Sequence, residues 1–265
     1  CYSFFLRHQG NHTIISLRCY HFFLSEGVNI PKGSILFIVL LLLVSQAMAE
    51  AVYENDVQLE KDGLTLTIFE TYNLSDALEF RLSLDADNDS QVTELEVASF
   101  KESYLASRSS QFMEYVKVND GNVTLYMDSI SLNLYNATGN VTQDPLYVNT
   151  TIKYGITPKL GAGEHSLWII GHPLIERMSI SLPEGTILVS NDGLDNVTIV
   201  KDDPVELEGR SGVRSFMVGN RSTFEYATTV EFRNPHFYER GYVLPLLIGI
   251  ELILVIFVIY MRRKR

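Results

Sequence analysis

Alternating apolar and polar residues recur through the middle of the chain and predict β-strands. Leu64–Ile68 and Leu78–Leu84 both show this period of two. The phase of the alternation slips between Val123–Met127 and Ile130–Leu134, which predicts a β-bulge near Asp128-Ser129. Further strand-like segments follow, separated by Gly, Asn and Asp: Ile152–Ile156, Leu167–Ile170, Met178–Leu182, Asn196–Val200, Pro204–Leu207 and Phe224–Phe232.

One segment follows a helical period instead. Glu94–Val116 contains neither Gly nor Pro, and Val97, Phe100 and Tyr104 recur in it at the spacing of one helix face. We therefore predict a helix from about Glu94 to about Ser109. Strands with one early helix favour a β-rich α+β fold, which we interpret as an antiparallel β-sandwich with one inserted helix.

The apolar run Val243–Tyr260 has the length of one membrane-spanning helix. Tyr242 and Tyr260 occupy positions typical of the membrane interface, and the chain then ends in basic residues. We predict a C-terminal transmembrane helix over residues 242–260 and a cytoplasmic tail over residues 261–265. Because basic flanks stay in the cytoplasm, residues 50–241 are expected outside the cell, as the surface domain of a single-pass cell-membrane protein.

A second apolar run, Ile35–Val44, is too short to span a bilayer comfortably. A lysine precedes it and Ala47-Met48-Ala49 follows it, which is the pattern of a signal peptide with its cleavage site. We predict a signal peptide over residues 28–49; the alternative is an uncleaved anchor. Because signal peptides normally open a chain, we interpret residues 1–27 as a mis-called upstream extension before a GUG start codon.

The charge of the chain is concentrated in its middle region. Residues 50–241 contain 30 acidic and 14 basic side chains, a net charge of −16, while the whole chain carries −11. Such a surface repels the phosphates of nucleic acid, so we expect no nucleic-acid partner. It suits either a solvated outer surface or the binding of cations, and solubility alone is the alternative explanation.

The twelve residues Asp85–Glu96 carry carboxylates at alternate positions of their first half. The segment resembles the EF-hand calcium loop, and the resemblance covers these twelve residues only. Ca²⁺ takes six to eight oxygen ligands. The resemblance implies six ligand positions in loop order: the carboxylates of Asp85, Asp87 and Asp89, the backbone carbonyl of Gln91, Thr93 through a water, and a bidentate Glu96.

Two features depart from the family pattern. Ser90 stands where the family has glycine, and a left-handed backbone there carries a steric cost that lowers affinity. Leu78–Leu84 is predicted as a strand, so we expect a lone loop between a strand and a helix, similar to dockerin-like loops. Extracellular loops of this kind bind Ca²⁺ with a Kd of about 10⁻⁴–10⁻³ M. The alternative is an acidic turn that caps the helix through Thr93 and Glu96.

Sequons of the form Asn-x-Ser/Thr are frequent between the two apolar runs. Asn88 lies inside the acidic loop and is expected to stay unmodified. The alternative to glycosylation is turn chemistry, which Asn also favours. Many sequons, the GUG start and the absence of cysteine from residues 50–241 together indicate an archaeal cell surface. We predict glycosylation at Asn73, Asn122, Asn136, Asn140, Asn149, Asn196 and Asn220.

No catalytic motif stands out in the chain. The sequence lacks G-x-S-x-G, H-E-x-x-H, P-loop and G-x-G-x-x-G patterns, and His165, His172 and His236 lie far apart. We therefore expect a calcium-binding, glycosylated surface or interaction protein without catalytic activity. The alternatives are an extracytoplasmic accessory subunit of a membrane transporter or complex, and a calcium-dependent extracellular hydrolase.

Glu251 interrupts the apolar run near its middle. A charge at the centre of a bilayer costs about 2.5–3.5 kcal/mol on insertion scales, so intramembrane carboxyls usually meet a partner group or stay protonated. We expect Glu251 to dock the helix to another membrane protein or to a second copy of the chain. A neutral glutamic acid in a lone helix is the alternative.

Overall fold

The computed structural model describes residues 51–219, 221–239 and 243–263. The interpretation of residues 1–27 as an upstream extension and the predicted signal peptide at residues 28–49 lie outside these ranges, and so does Asn220.

The described residues form fourteen strands and three α-helices. In chain order they are β1 (Val52–Leu59), β2 (Gly63–Tyr72), α1 (Leu74–Leu84), β3 (Gln91–Val92), α2 (Glu94–Phe112), β4 (Val116–Val118), β5 (Thr124–Tyr135), β6 (Gly139–Asn140), β7 (Leu146–Thr157), β8 (Gly163–Ile170), β9 (Ile175–Ser181), β10 (Ile187–Asp192), β11 (Leu194–Asp202), β12 (Val205–Ser211), β13 (Val213–Val218), β14 (Arg221–Asn234) and α3 (Val243–Arg263).

Two sheets form a sandwich. The larger has seven strands in the order β11-β12-β9-β1-β2-β7-β5, and the smaller has the order β10-β14-β8-β4 with β13 added along β14. Neighbouring strands are antiparallel except β1 and β9, which are parallel. The predicted β-rich α+β fold is confirmed, and each of the six later strand-like segments overlaps a strand.

The core lies between the inner faces of the two sheets. Leu66 on β2 lies opposite Ile152 on β7, and Leu167 on β8 lies opposite Val230 on β14. All four are almost completely buried in one cluster. Since successive residues of a strand point to opposite faces, the observed alternation follows directly from burial on one side. The predicted bulge in β5 is also confirmed, because the register with β7 shifts between Met127 and Ser129.

Two helices cover the remaining part of the inner face of the larger sheet. Leu146 and Val148 on β7 pack with Ala77 and Leu84 of α1 and with Val97 of α2. The structure therefore has two inserted helices where the sequence predicted one. The predicted helix α2 begins at Glu94 as expected and continues three residues past the predicted end.

The prediction that Leu78–Leu84 forms a strand is wrong, because these residues belong to α1. The buried positions are Ala77, Arg81 and Leu84, spaced four and three apart, whereas Leu82 is 53% exposed. Leu74–Leu84 contains no Gly, Pro or β-branched residue and so has good helix propensity. The four apolar residues at alternate positions indicated a strand, whereas the buried face is helical and its second member is Arg81.

Helix α3 stands apart in composition. Residues Pro245–Arg263 are long and apolar enough to cross a membrane, with a mean hydropathy of 2.2 and none of the span buried within the protein. This agrees with the predicted transmembrane helix by length and composition.

Candidate metal site and other functional residues

The acidic loop connects α1 to α2 and gathers three carboxylates. One carboxylate oxygen from each of Asp85, Asp87 and Asp89 lies within 4.8 Å of the others. Asp85 is 5% exposed, while the other two face solvent. Three negative charges this close repel one another unless a cation lies between them. This group could therefore hold a metal ion.

Backbone N–H groups of the loop hold the first carboxylate in place. Asp85 Oδ2 accepts a hydrogen bond from Ser90 N at 2.9 Å, and Asp85 Oδ1 accepts one from Asp89 N at 3.2 Å. Ser90 has φ +67° and Asn88 has φ +59°, so the turn has the left-handed backbone expected at Ser90. The hydrogen bonds to Asp85 help to offset the steric cost of that conformation.

The second half of the loop is anchored by a neighbouring segment. Strand β3 pairs with β6, with Val92 opposite Gly139 and Gln91 opposite Asn140. Val92 is 2% exposed and packs among the side chains of α1 and α2. The loop is therefore fixed at its acidic start by hydrogen bonds and at its end by a short sheet and a buried side chain.

Arg81 ties the same neighbouring segment to the helix that precedes the loop. Its guanidinium donates to Asp144 O and Asn136 O, each at 2.6 Å, and to Thr142 O at 3.0 Å. Arg81 is 2% exposed. Burial of a cation is costly unless its N–H groups are satisfied, and these carbonyls satisfy them. The segment that carries β6 is therefore fixed against α1 by Arg81 and against β3 by strand pairing.

Glu96 caps helix α2 from inside the same loop. Its carboxylate accepts hydrogen bonds from Thr93 N at 2.8 Å, Ala86 N at 2.7 Å and Thr93 Oγ1 at 2.9 Å. These bonds favour the charged form and lower the pKa of Glu96, with Thr93 N–H as the largest cause. The capping arrangement expected as the alternative is present. Gln91, Thr93 and Glu96 remain predicted ligands, and the carboxylate of Glu96 is not among the three that converge.

A partly buried carboxyl on β2 was not identified from the sequence. Glu70 on β2 accepts a hydrogen bond from Tyr72 Oη at 2.5 Å. Burial raises the pKa of Glu70, and Arg108 opposes that rise. Burial also raises the pKa of Tyr72, and that of Tyr104 to about 12. The period of two that begins at Leu64 predicts an inward position for Glu70, and this signal could have found it.

The sequons fall into two groups by environment. Asn122, Asn136, Asn140 and Asn196 are exposed. Asn136 and Asn196 have positive φ, at 59° and 53°, which fits their alternative role as turn residues. Asn73 lies at the start of α1 and Asn149 in the middle of β7, and both are partly buried. Asn88 is exposed within the acidic loop.

The described histidines make local structural contacts. His165 lies 3.0 Å from Asn119 Nδ2 through Nδ1 and 2.9 Å from Gly161 O through Nε2. His172 Nδ1 accepts a hydrogen bond from Leu174 N at 3.2 Å. These contacts position loops at the strand ends.

Glu251 lies near the middle of α3, exposed on an otherwise apolar surface.

Comparison of the chain with protein-family models finds no match, and comparison with curated proteins finds none either. The functional assignment of this chain therefore depends on its own residues and their geometry.

Proposed function

We propose that this chain is a single-pass cell-surface protein whose outer domain is stabilised by Ca²⁺ bound in the loop between α1 and α2. The observation that carries the proposal is the convergence of the Asp85, Asp87 and Asp89 carboxylates within 4.8 Å. Carboxylate and carbonyl oxygens are the ligands that Ca²⁺ prefers.

The surroundings of the loop support an EF-hand-type site. Helices flank the loop on both sides, with α1 ending at Leu84 and α2 beginning at Glu94. Ser90 has the positive φ that the family obtains from glycine. Val92 provides the buried anchor in the second half. The incoming helix makes the resemblance closer than a strand would have done.

The role of the bound ion is proposed to be structural. At a Kd of about 10⁻⁴–10⁻³ M, typical of extracellular loops, about 10 mM Ca²⁺ would stabilise the folded state by roughly 1.4–2.7 kcal/mol. For a domain of this size that corresponds to a rise in melting temperature of about 3–10 °C. The loop joins two helices and a β-bridge, so order in the loop contributes to the order of all three.

Membrane anchorage is supported by α3 and its basic end. The span Pro245–Arg263 is apolar, and the chain carries basic residues directly after it. The acidic charge of residues 50–241 suits exposure to the medium rather than contact with anionic lipid. We place this domain outside the cell, glycosylated at its sequons, where it would act in adhesion, envelope structure or protein docking.

One observation favours a second candidate, an accessory subunit of a membrane complex. Glu251 interrupts the apolar surface of α3, and such a carboxyl is most simply satisfied by a polar group on a neighbouring helix. The hydrolase alternative has weaker support, because His165 contacts an amide and a backbone carbonyl.

The calcium proposal is tested by thermal melting of the full chain in detergent, followed by the fluorescence of Trp168. Ca²⁺ at about 10 mM should raise the melting temperature by about 3–10 °C, and the same concentration of Mg²⁺ should do so less. Asp87→Asn should reduce the rise, whereas Asp202→Asn, an exposed acid on β11, should leave it unchanged. An equal melting temperature with Ca²⁺ and with a chelator would refute the proposal.

The membrane arrangement and the second candidate have separate tests. Protease added to intact cells should digest the proposed outer domain and spare the basic C-terminus; a protected domain would contradict the arrangement. Extraction in mild detergent should recover a stoichiometric polytopic protein if the accessory role is right, and Glu251→Leu should abolish that recovery. Gly249→Leu, two residues away in α3, serves as the control for helix bulk.

A further inference from the structure

The outer face of the larger sheet carries large exposed rings where β2, β7 and β5 lie side by side. Tyr135 on β5 lies directly opposite Tyr147 on β7. Phe69 on β2 lies directly opposite Asn149 on β7. Tyr135 is 52% exposed, Tyr147 43% and Phe69 39%. Three exposed aromatic rings at one end of a sheet face form an apolar patch of a kind that usually has an occupant.

Asn149 lies among these rings. Because strand residues two apart share a face, Tyr147, Asn149 and the sequon hydroxyl of Thr151 all point outward. Thr151 Oγ1 donates a hydrogen bond to Asn149 Oδ1 at 3.3 Å. Asn133 on β5 faces Asn149 from the side opposite Phe69. The sequon is therefore flanked by a ring on its own strand, a ring on one neighbouring strand and an amide on the other.

We propose that Asn149 carries an N-linked glycan whose first sugars lie across Tyr147, Tyr135 and Phe69. The inference rests on the proposed function only in requiring a glycosylated surface protein. The C–H face of a pyranose is apolar and packs on an aromatic ring, which removes apolar area of both from water. Its hydroxyls can bond to neighbouring amides and hydroxyls such as Asn133 and Thr71.

Charge supports a neutral occupant at this place. Residues 50–241 carry a net charge of −16, yet the outward positions that adjoin Asn149 on its own and the two neighbouring strands are uncharged, among them Thr71, Asn133 and Thr151. Glu54 on β1 lies opposite Phe69, and its charge is paired with that of Arg177 at 2.7 Å. A basic ligand would find stronger attraction elsewhere on the domain, and an anionic one would be repelled by the domain as a whole. A neutral sugar suits this patch better than either.

Attachment explains why this glycan, rather than a free sugar, is the occupant. A chain tethered at Asn149 is held beside the rings at an effective concentration in the millimolar range, so weak stacking suffices.

Attachment transfers the glycan from a lipid-linked phosphate donor. The amide nitrogen of Asn149 bonds to the anomeric carbon, the bond from that carbon to the donor oxygen breaks, and the amide proton leaves with the lipid phosphate.

Glycopeptide mapping of the full chain, purified from membranes of the cells that make it, tests attachment. The peptide containing Asn149 should carry sugar mass in most molecules. An unmodified Asn149 beside modified sequons elsewhere would overturn this inference and leave the proposed function standing. A chain without sugar at any sequon would overturn both this inference and the glycoprotein part of the proposal.

Docking on the rings is tested by melting and by hydroxyl-radical footprinting. Asn149→Gln should lower the melting temperature by about 2–4 °C, and it should have little further effect in a Tyr147→Ala background. Asn196→Gln, at an exposed sequon, should act independently of Tyr147. An equal loss from Asn149→Gln in both backgrounds would refute docking.

Hydroxyl-radical footprinting keeps the docking proposal testable when a variant folds poorly. Oxidation of Tyr135 and Tyr147 should increase severalfold in the full-length Asn149→Gln chain. Tyr126, on the same strand as Tyr135 but at its other end beside Gly155, is the internal control and should not change. Protection of Tyr135 and Tyr147 that persists in Asn149→Gln would assign the patch to another occupant, either a second copy of the chain or a free sugar, and would overturn the proposal.

Discussion

Replacing Arg81 with methionine should destabilise the protein more than any other single loss of charge among its described arginines. Methionine keeps most of the length of the side chain and removes the guanidinium. Three backbone carbonyls, at Asn136, Thr142 and Asp144, would lose donors at 2.6–3.0 Å in a place where Arg81 is 2% exposed. Each buried acceptor left without a donor costs about 1–3 kcal/mol.

The size of the stability loss in Arg81→Met depends on how far water can reach the carbonyls that lose the guanidinium. Asn136 and Asp144 are themselves exposed residues, so water can reach part of the vacated space and the lower half of that range applies. We expect a loss of about 3–5 kcal/mol in the free energy of unfolding, which lowers the melting temperature by about 10 °C for a domain of this size.

The assay is thermal melting of the full chain in detergent, with a chelator present so that calcium does not contribute. Arg177→Met is the matched control. Arg177 pairs with Glu54 at 2.7 Å, but its side chain is 53% exposed, and exposed pairs contribute about 0.2–1 kcal/mol. If Arg81→Met melted within about 3 °C of the control variant, the carbonyl contacts would not carry the stability assigned to them.

Three further predictions concern other positions. Burial raises the pKa of Glu70, so its charged form costs stability at neutral pH; Glu70→Gln should melt above the parent at pH 7, and the two should converge near pH 4. Hydrogen bonds lower the pKa of Glu96, so its stabilisation is present above the ordinary carboxyl pKa; the parent should lose more stability than Glu96→Gln as pH falls from about 5 to 3 in chelator. At Gly193, φ is +78° and an added Cβ would lie 1.9 Å from Ala227 O, whereas at Gly185, φ is +74° and nothing lies within 4 Å. Chemical denaturation should therefore show about 3 kcal/mol or more lost in Gly193→Ala and about 1 kcal/mol in Gly185→Ala; equal losses would refute the steric argument.

The strands of the sandwich could be predicted because one side of each is buried. Leu64 and Leu66 on β2, and Ile152 and Ile156 on β7, alternate with outward polar residues, so local sequence reports the face directly. The bulge after Met127 was also readable, since an extra residue reverses the phase of the alternation. The local alternation of apolar and polar residues was therefore sufficient to predict the strands that bury only one face.

Helix α1 was not readable in the same way. Its buried face includes Arg81, although arginine ordinarily indicates a solvent-exposed position, and its exposed face includes Leu82. The reason lies 55 or more residues further along the chain, in the carbonyls that Arg81 satisfies. The parallel pairing of β1 with β9 likewise depends on a partner more than 100 residues away. Contacts of this kind are set by the assembled fold and leave no periodic signal.

The candidate metal loop shows the same division between local and distant information. The order of its acidic residues is local, and so is the capping of α2 by Thr93 and Glu96. The pairing of β3 with β6 is not, and it links the loop to the segment that Arg81 fixes against α1. A cation that orders the loop would therefore also stabilise the pairing of β3 with β6 and the segment that Arg81 fixes against α1.

The distance between the folded domain and α3 limits where a membrane partner could act. Strand β14 ends at Asn234, and Arg233 pairs with Glu239 in the turn that follows. Only residues 240–242 then separate Glu239 from the start of α3 at Val243. Because an extended chain spans at most about 3.3–3.6 Å per residue, Glu239 lies within roughly 15 Å of the helix start. In the proposed membrane arrangement, a partner helix engaged by Glu251 would bring its own outer loops to the end of β14, so the membrane contact and a second contact outside the membrane would reinforce each other.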